Sequence, residues 1–136
     1  MLGPEIRRTI EMFSDVVVDS QGDAETARAL TREEASLLAR ASVHGRIVAR
    51  VTTSTKVGSP NFLISGLQVS FDGATYAKCG TADQQSVSPT NVGEYLLEIL
   101  TPIPHGASHI KLSSAVTTLD ASNKITFSRV ELRVEL

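Results

Sequence analysis

Tryptophan is absent from the 136-residue chain, and its only aromatics are four Phe and two Tyr. That is too little for a base-stacking platform or a sugar cleft, both of which grip their ligands with exposed rings. The single cysteine, Cys79, excludes an internal disulfide, so the fold draws nothing from an oxidising compartment. Long apolar runs are missing too. The most apolar windows, 43–51 and 96–103, are broken by Arg46, Arg50, Glu98 and Pro102 and have strand length, so no membrane partner is expected. The first twelve residues carry Glu5, Arg7, Arg8 and Glu11 with no apolar stretch of signal-peptide length, which points to a soluble protein made in the cytoplasm. Neither GxGxxG nor GxxxxGKS/T occurs, so no phosphate cradle and no cofactor are expected. Excess charge of one sign is also lacking. With 13 basic and 15 acidic residues, the net charge of −2 argues against nucleic acid as a partner.

What is abundant is Ser and Thr, 28 residues together, a composition suited to solvated β surface. Two regions are expected: a helical or extended segment over residues 1–41 and a β-sandwich domain over 42–136. In the first, Pro4 with Ile6, Ile10 and Phe13 reads as a short amphipathic helix. Residues 15–19 then read as a short strand closed by Ser20-Gln-Gly22. Residues 23–41 are helix formers, with Thr31 and Glu34 at capping-box spacing. An arm that orders on a partner is the rival reading of that stretch.

From Ser42 the period changes to two. Ile47, Ala49 and Val51 alternate with Arg46, Arg50 and Thr52, and a Ser/Thr-rich loop over 53–61 leads to a second strand over 62–71. Asp72-Gly73 predicts a two-residue hairpin pairing Phe71 with Ala74 and Val69 with Tyr76, with Phe71 and Tyr76 inward. A long loop over 80–91 precedes a strand with Tyr95, Leu97 and Ile99 on one face and Glu94, Leu96 and Glu98 on the other. Ile110 and Leu112 mark a further strand. In the last, Ile125 and Phe127 are out of phase with Val130, Leu132 and Val134, which predicts a β-bulge at Ser128-Arg129. Six or seven such strands without an intervening long helix predict a mainly β protein, an antiparallel two-sheet sandwich of jelly-roll type.

Chemistry-bearing residues do not converge in the sequence. His105 and His109 have i, i+4 spacing, but Pro104 and Gly106 place them in a turn, where that spacing serves no metal; with His44 they read as solvent-facing, and no metal is expected. Glu94 and Glu98 lie roughly 13 Å apart along a strand, too far to share a proton, and read as a solubilising face. Cys79 has no neighbouring base and reads as a packed or half-exposed thiol. No catalytic residue is assigned. One asymmetry stands out: no acid occurs between Glu34 and Asp72, yet Arg40, Arg46, Arg50 and Lys56 do. These four are the candidate partner-docking residues, with a solvated sheet face as the plainer reading.

The series Leu67 to Tyr76, Gly93 to Ile99, Pro102 to Leu112 and Val130 to Val134 resembles the small jelly-roll capsid cement, or decoration, proteins of tailed bacteriophages. The proline-glycine corner ahead of an alternating strand at 102–112 is similar to theirs, and the resemblance covers residues 42–136. It implies a virion structural protein on the outer capsid surface, an oligomer and most often a homotrimer, that bridges copies of the major capsid protein. The alternatives are a carbohydrate-binding or adhesive sandwich, and a tail or head-to-tail accessory subunit.

Overall fold

The computed structural model describes residues 6–79 and 85–136. Its ten elements in chain order are β1 (Arg7–Val18), α1 (Gln21–Ala24), β2 (Arg28–Ala29), α2 (Arg32–His44), β3 (Arg46–Val57), β4 (Asn61–Ser70), β5 (Tyr76–Lys78), β6 (Gly93–Glu98), β7 (His109–Thr118) and β8 (Lys124–Glu135). Two four-stranded antiparallel sheets result. Sheet A runs β1-β8-β3-β6 and sheet B runs β2-β7-β4-β5. The β-sandwich expected from the alternating pattern is therefore present. Within the sheets, β1 pairs with β8 and β3 with β6, while β2 pairs with β7 and β4 with β5, so the pairings nest inside one another along the chain. The contacts β3–β8 and β4–β7 complete each sheet. Among the described residues, the β4–β5 turn joins neighbours in one sheet, and every other connection between consecutive strands crosses from one sheet to the other.

The core lies between the sheets. Ile47, Ala49 and Val51 of β3 face Ile64, Leu67 and Val69 of β4 and Ile110 and Leu112 of β7, all buried. Phe127 of β8 bridges the layers, its ring centroid 5.9 Å from Phe62 of β4 and 6.2 Å from Phe13 of β1. The bulge predicted in β8 is present: Arg129 pairs with Thr52 and Phe127 with Thr53, which leaves Ser128 as the extra residue. That one insertion lets Ile125, Phe127, Val130, Leu132 and Val134 all point inward, each at most 1% exposed.

The first forty residues differ most from expectation. In place of a helix over 4–13 there is β1, which pairs along its length with β8. Ile6 and Ile10 are four apart, and four is a multiple of the strand period as well as one helical turn; Met12 rather than Phe13 is the next buried residue, which only a strand provides. Pro4 lies outside the described residues. The helix over 23–41 is divided into α1 and α2 by β2, and α2 starts at the Thr31 cap with both capping-box hydrogen bonds formed. Residues 7–41 are thus not an arm apart from the sandwich: Ile10, Met12, Val18, Leu38 and Ala41 belong to the same core.

Two smaller corrections concern turns. β3 continues through Thr53 to Val57, because Thr and Ser are compatible with strand, and the turn is only 58–60 with Gly58 at φ 68°. The Asp72-Gly73 hairpin is wider than two residues: Ser70 pairs with Tyr76 and Val69 with Ala77, which leaves Phe71 59% exposed. The Asp72 carboxylate organises that loop by accepting from the N–H groups of Ala74 and Thr75, and these bonds hold its carboxyl down at about 2.

Candidate docking surface

Arg46 and Arg50 face outward from sheet A because Ile47, Ala49 and Val51 take the inward positions of β3. The register then sets acids beside them. Arg46 Nη2 lies 3.0 Å from Glu98 Oε2, and Arg50 Nη2 lies 2.7 Å from Glu94 Oε2 on the same neighbouring strand. From the other side Arg50 Nη1 lies 3.4 Å from Glu131 of β8. Glu131 is only 3% exposed although it points outward, because the guanidinium groups of Arg50, Arg129 and Arg133 cover it. Arg129 Nε is 2.8 Å from Glu131 Oε2, an ion pair whose angle does not make a hydrogen bond. Lys56 Nζ donates to Asn91 Oδ1 at 2.8 Å.

An interval free of acids in the sequence is therefore not free of acids in space. The outer face of sheet A is a cross-strand lattice of opposite charges, and the cations expected there as open docking groups are already engaged. Glu94 and Glu98, read as a solubilising face, are the partners that engage them. Arg50 is the most tightly held, its guanidinium pKa raised above all by the hydrogen bond it donates to Glu94.

Arg40 stands apart on α2. The inward face of that helix carries Ala35, Leu37, Leu38 and Ala41, packed against β3 and β8. Its N-terminus is held by Glu34, which is 4% exposed, accepts from the Thr31 N–H and takes a two-pronged contact from Arg28 at 2.8 and 2.9 Å. The Arg28 hydrogen bond holds the Glu34 carboxyl down at about 2. The outward face presents Arg32, Ser36, Arg40 and His44, spaced by four and so stacked in one row. Among the described residues no carboxylate lies within ion-pair distance of Arg32 or Arg40. A groove with Ile6, Arg8 and Leu37 runs along one side of this row, and a second, with Leu30, His105 and Ala107, along the other.

The remaining candidates are dispersed or saturated. His44 and His105 are exposed as expected, but His109 is half-buried, with its Nδ1 2.9 Å from Ser108 Oγ. No cluster of three or more His, Cys, Asp or Glu side chains fit for a metal occurs among the described residues. Cys79 is half-buried at a crevice of about 20 Å³, room for one water, and burial pushes its thiol pKa up, away from the thiolate. Glu25 lies across sheet B, where it accepts from the Ser114 N–H at 2.7 Å and hydroxyl at 2.8 Å and pairs with Lys111 at 3.6 Å. Burial pushes the Glu25 carboxyl up, and the Ser114 hydrogen bonds more than offset it. Sequence reading missed Arg32 and the row it heads, although the spacing 32, 36, 40, 44 was available once a helix was granted there.

Among the described residues no helix is long and apolar enough to cross a membrane. Comparison with known proteins finds no matching family model, no similar curated protein and no similar solved structure.

Proposed function

We propose that this chain is a non-catalytic structural subunit that docks on a protein lattice, as a decoration protein on the outer surface of a tailed-phage capsid. The observation that carries this reading is the nesting of strand pairs, β1 with β8, β2 with β7, β3 with β6 and β4 with β5, in the orders 1-8-3-6 and 2-7-4-5. A ribbon of paired strands wrapped over itself generates that order, which supports a jelly-roll reading of the sandwich and, with it, the resemblance to capsid cement proteins, although β1 and β2 lie outside the residues 42–136 that carry that resemblance. Consistent with it, Arg46, Arg50, Arg129 and Arg133 on the outer face of sheet A each have a carboxylate of this chain beside them, while Arg32 and Arg40 of α2 have none among the described residues. A subunit that binds only the assembled shell stabilises it by linkage, and a trimer would sum three weak contacts.

Mass spectrometry of purified particles tests the proposal by copy number. Several hundred copies per particle, with the subunit trimeric in solution, are expected. A ring number of about six or twelve indicates a head-to-tail or tail component, and absence from particles removes the virion reading altogether.

A further inference from the structure

The row on α2 differs from the other cationic surface in what faces it. On sheet A, Arg46, Arg50, Arg129 and Arg133 each have a carboxylate of this chain beside them. Arg32 and Arg40 have none among the described residues, and Ser36 between them is too short to screen one from the other. Arg8, at the rim, already contacts Glu33 and Glu34. Arg32 and Ser36 border both grooves and Arg40 borders the first, so Arg32 stands on a ridge between two troughs: Ile6 and Leu37 with the paired Arg8 and Glu33 in one, Leu30 and Ala107 with His105 in the other. Val43, 60% exposed, extends the apolar surface at the far end.

We propose that this ridge docks an acidic, partly apolar segment of a partner protein. Arg40 lies eight positions beyond Arg32 in the helix, about 12 Å along the axis. Two carboxylates four residues apart in an extended segment span about 13 Å, so such a segment meets both guanidinium groups at once. Its aliphatic side chains fill the flanking troughs. A polynucleotide fits less well, since the ridge has no exposed aromatic ring and Arg8, the further arginine in the troughs, is already paired with Glu33 and Glu34. The inference rests on the reading of this chain as a docking subunit and names the surface used, but does not require the partner to be a capsid protein.

Random 12-residue peptides displayed on phage and selected on the immobilised full chain provide the test. Peptides with two or more Asp or Glu beside Leu, Ile or Val are expected to be enriched, and to weaken about tenfold or more on R32E/R40E. The double variant K78E/K124E, which changes net charge equally, is expected to retain binding. R32Q/R40Q serves as the milder pair if reversal perturbs folding, and amide shifts on titrating an enriched peptide are expected at Ser36 and Ala107. Enrichment of basic or uncharged peptides, no enrichment at all, or undiminished binding by R32E/R40E overturns the proposal. Self-association of the chain that R32E/R40E abolishes overturns it in favour of a second copy as occupant, and tighter binding of a single-stranded oligonucleotide at the same residues overturns it in favour of nucleic acid. None of these results depends on copy number in particles, so this inference and the lattice reading fail separately.

Discussion

Glu34 shows how much one side chain does here. It is the N3 residue of the α2 capping box, the carboxylate facing Arg28 and a contact of Arg8, and it is almost fully buried. The E34Q variant retains an oxygen for the Thr31 N–H but leaves Arg28 facing a neutral group, which is expected to cost about 2 kcal/mol at neutral pH. The pH dependence has a definite sign. Because the folded-state carboxyl is held at about 2, below its ordinary 4.5, its stabilisation is complete above 4.5 and is lost as pH falls through about 2. Urea midpoints measured across that window should show wild type and E34Q converging as acid is added; a constant gap means that the carboxylate charge is not what Glu34 contributes. The Thr31–Glu34 spacing was legible from sequence, whereas Arg28 as its partner was not, since only the turn through β2 brings them together.

Among the elements, β8 is the one on which sheet A depends, with β1 and β3 on either side. Its apolar residues fall in two phases, and the extra residue Ser128 joins them. Deleting Ser128 turns either Ile125 and Phe127 or Val130, Leu132 and Val134 toward solvent. At about 1.5–3 kcal/mol per side chain, that loss rivals the whole stability of an ordinary domain. The deletion is expected to abolish the cooperative unfolding transition seen by circular dichroism. Ser128→Ala, which keeps the residue count and loses only the hydroxyl bond to the Thr52 carbonyl, is expected to cost about 1 kcal/mol. If deletion and substitution prove equally mild, the bulge does not set the register. The phase change in a single strand was readable from sequence because period two is strict. β1 was not, because Ile6 and Ile10 satisfy a helix and a strand alike, and the pairing with β8 that decides between them is more than a hundred residues away.

For the whole molecule, the layer contact through Phe127 is the test of whether the two sheets form one cooperative unit. Phe127→Ala removes the ring packed on Phe62 of the opposite sheet and on Phe13, and is expected to destabilise by about 3–5 kcal/mol in a single denaturant transition monitored by both near- and far-ultraviolet circular dichroism. Two separated transitions would mean that the sheets unfold independently. By itself the sequence determined the sandwich class, the inward set of most strands, the β8 bulge and the α2 cap, since each follows from periodicity or spacing over a few residues. The tertiary structure alone decided that residues 7–41 belong to the sandwich, that Arg46 and Arg50 meet Glu98, Glu94 and Glu131, and that Arg32 and Arg40 meet no carboxylate among the described residues. The physical reason is that a charge is open or engaged according to what lies across from it, and in nested strands what lies across is set by a register between residues far apart in the chain.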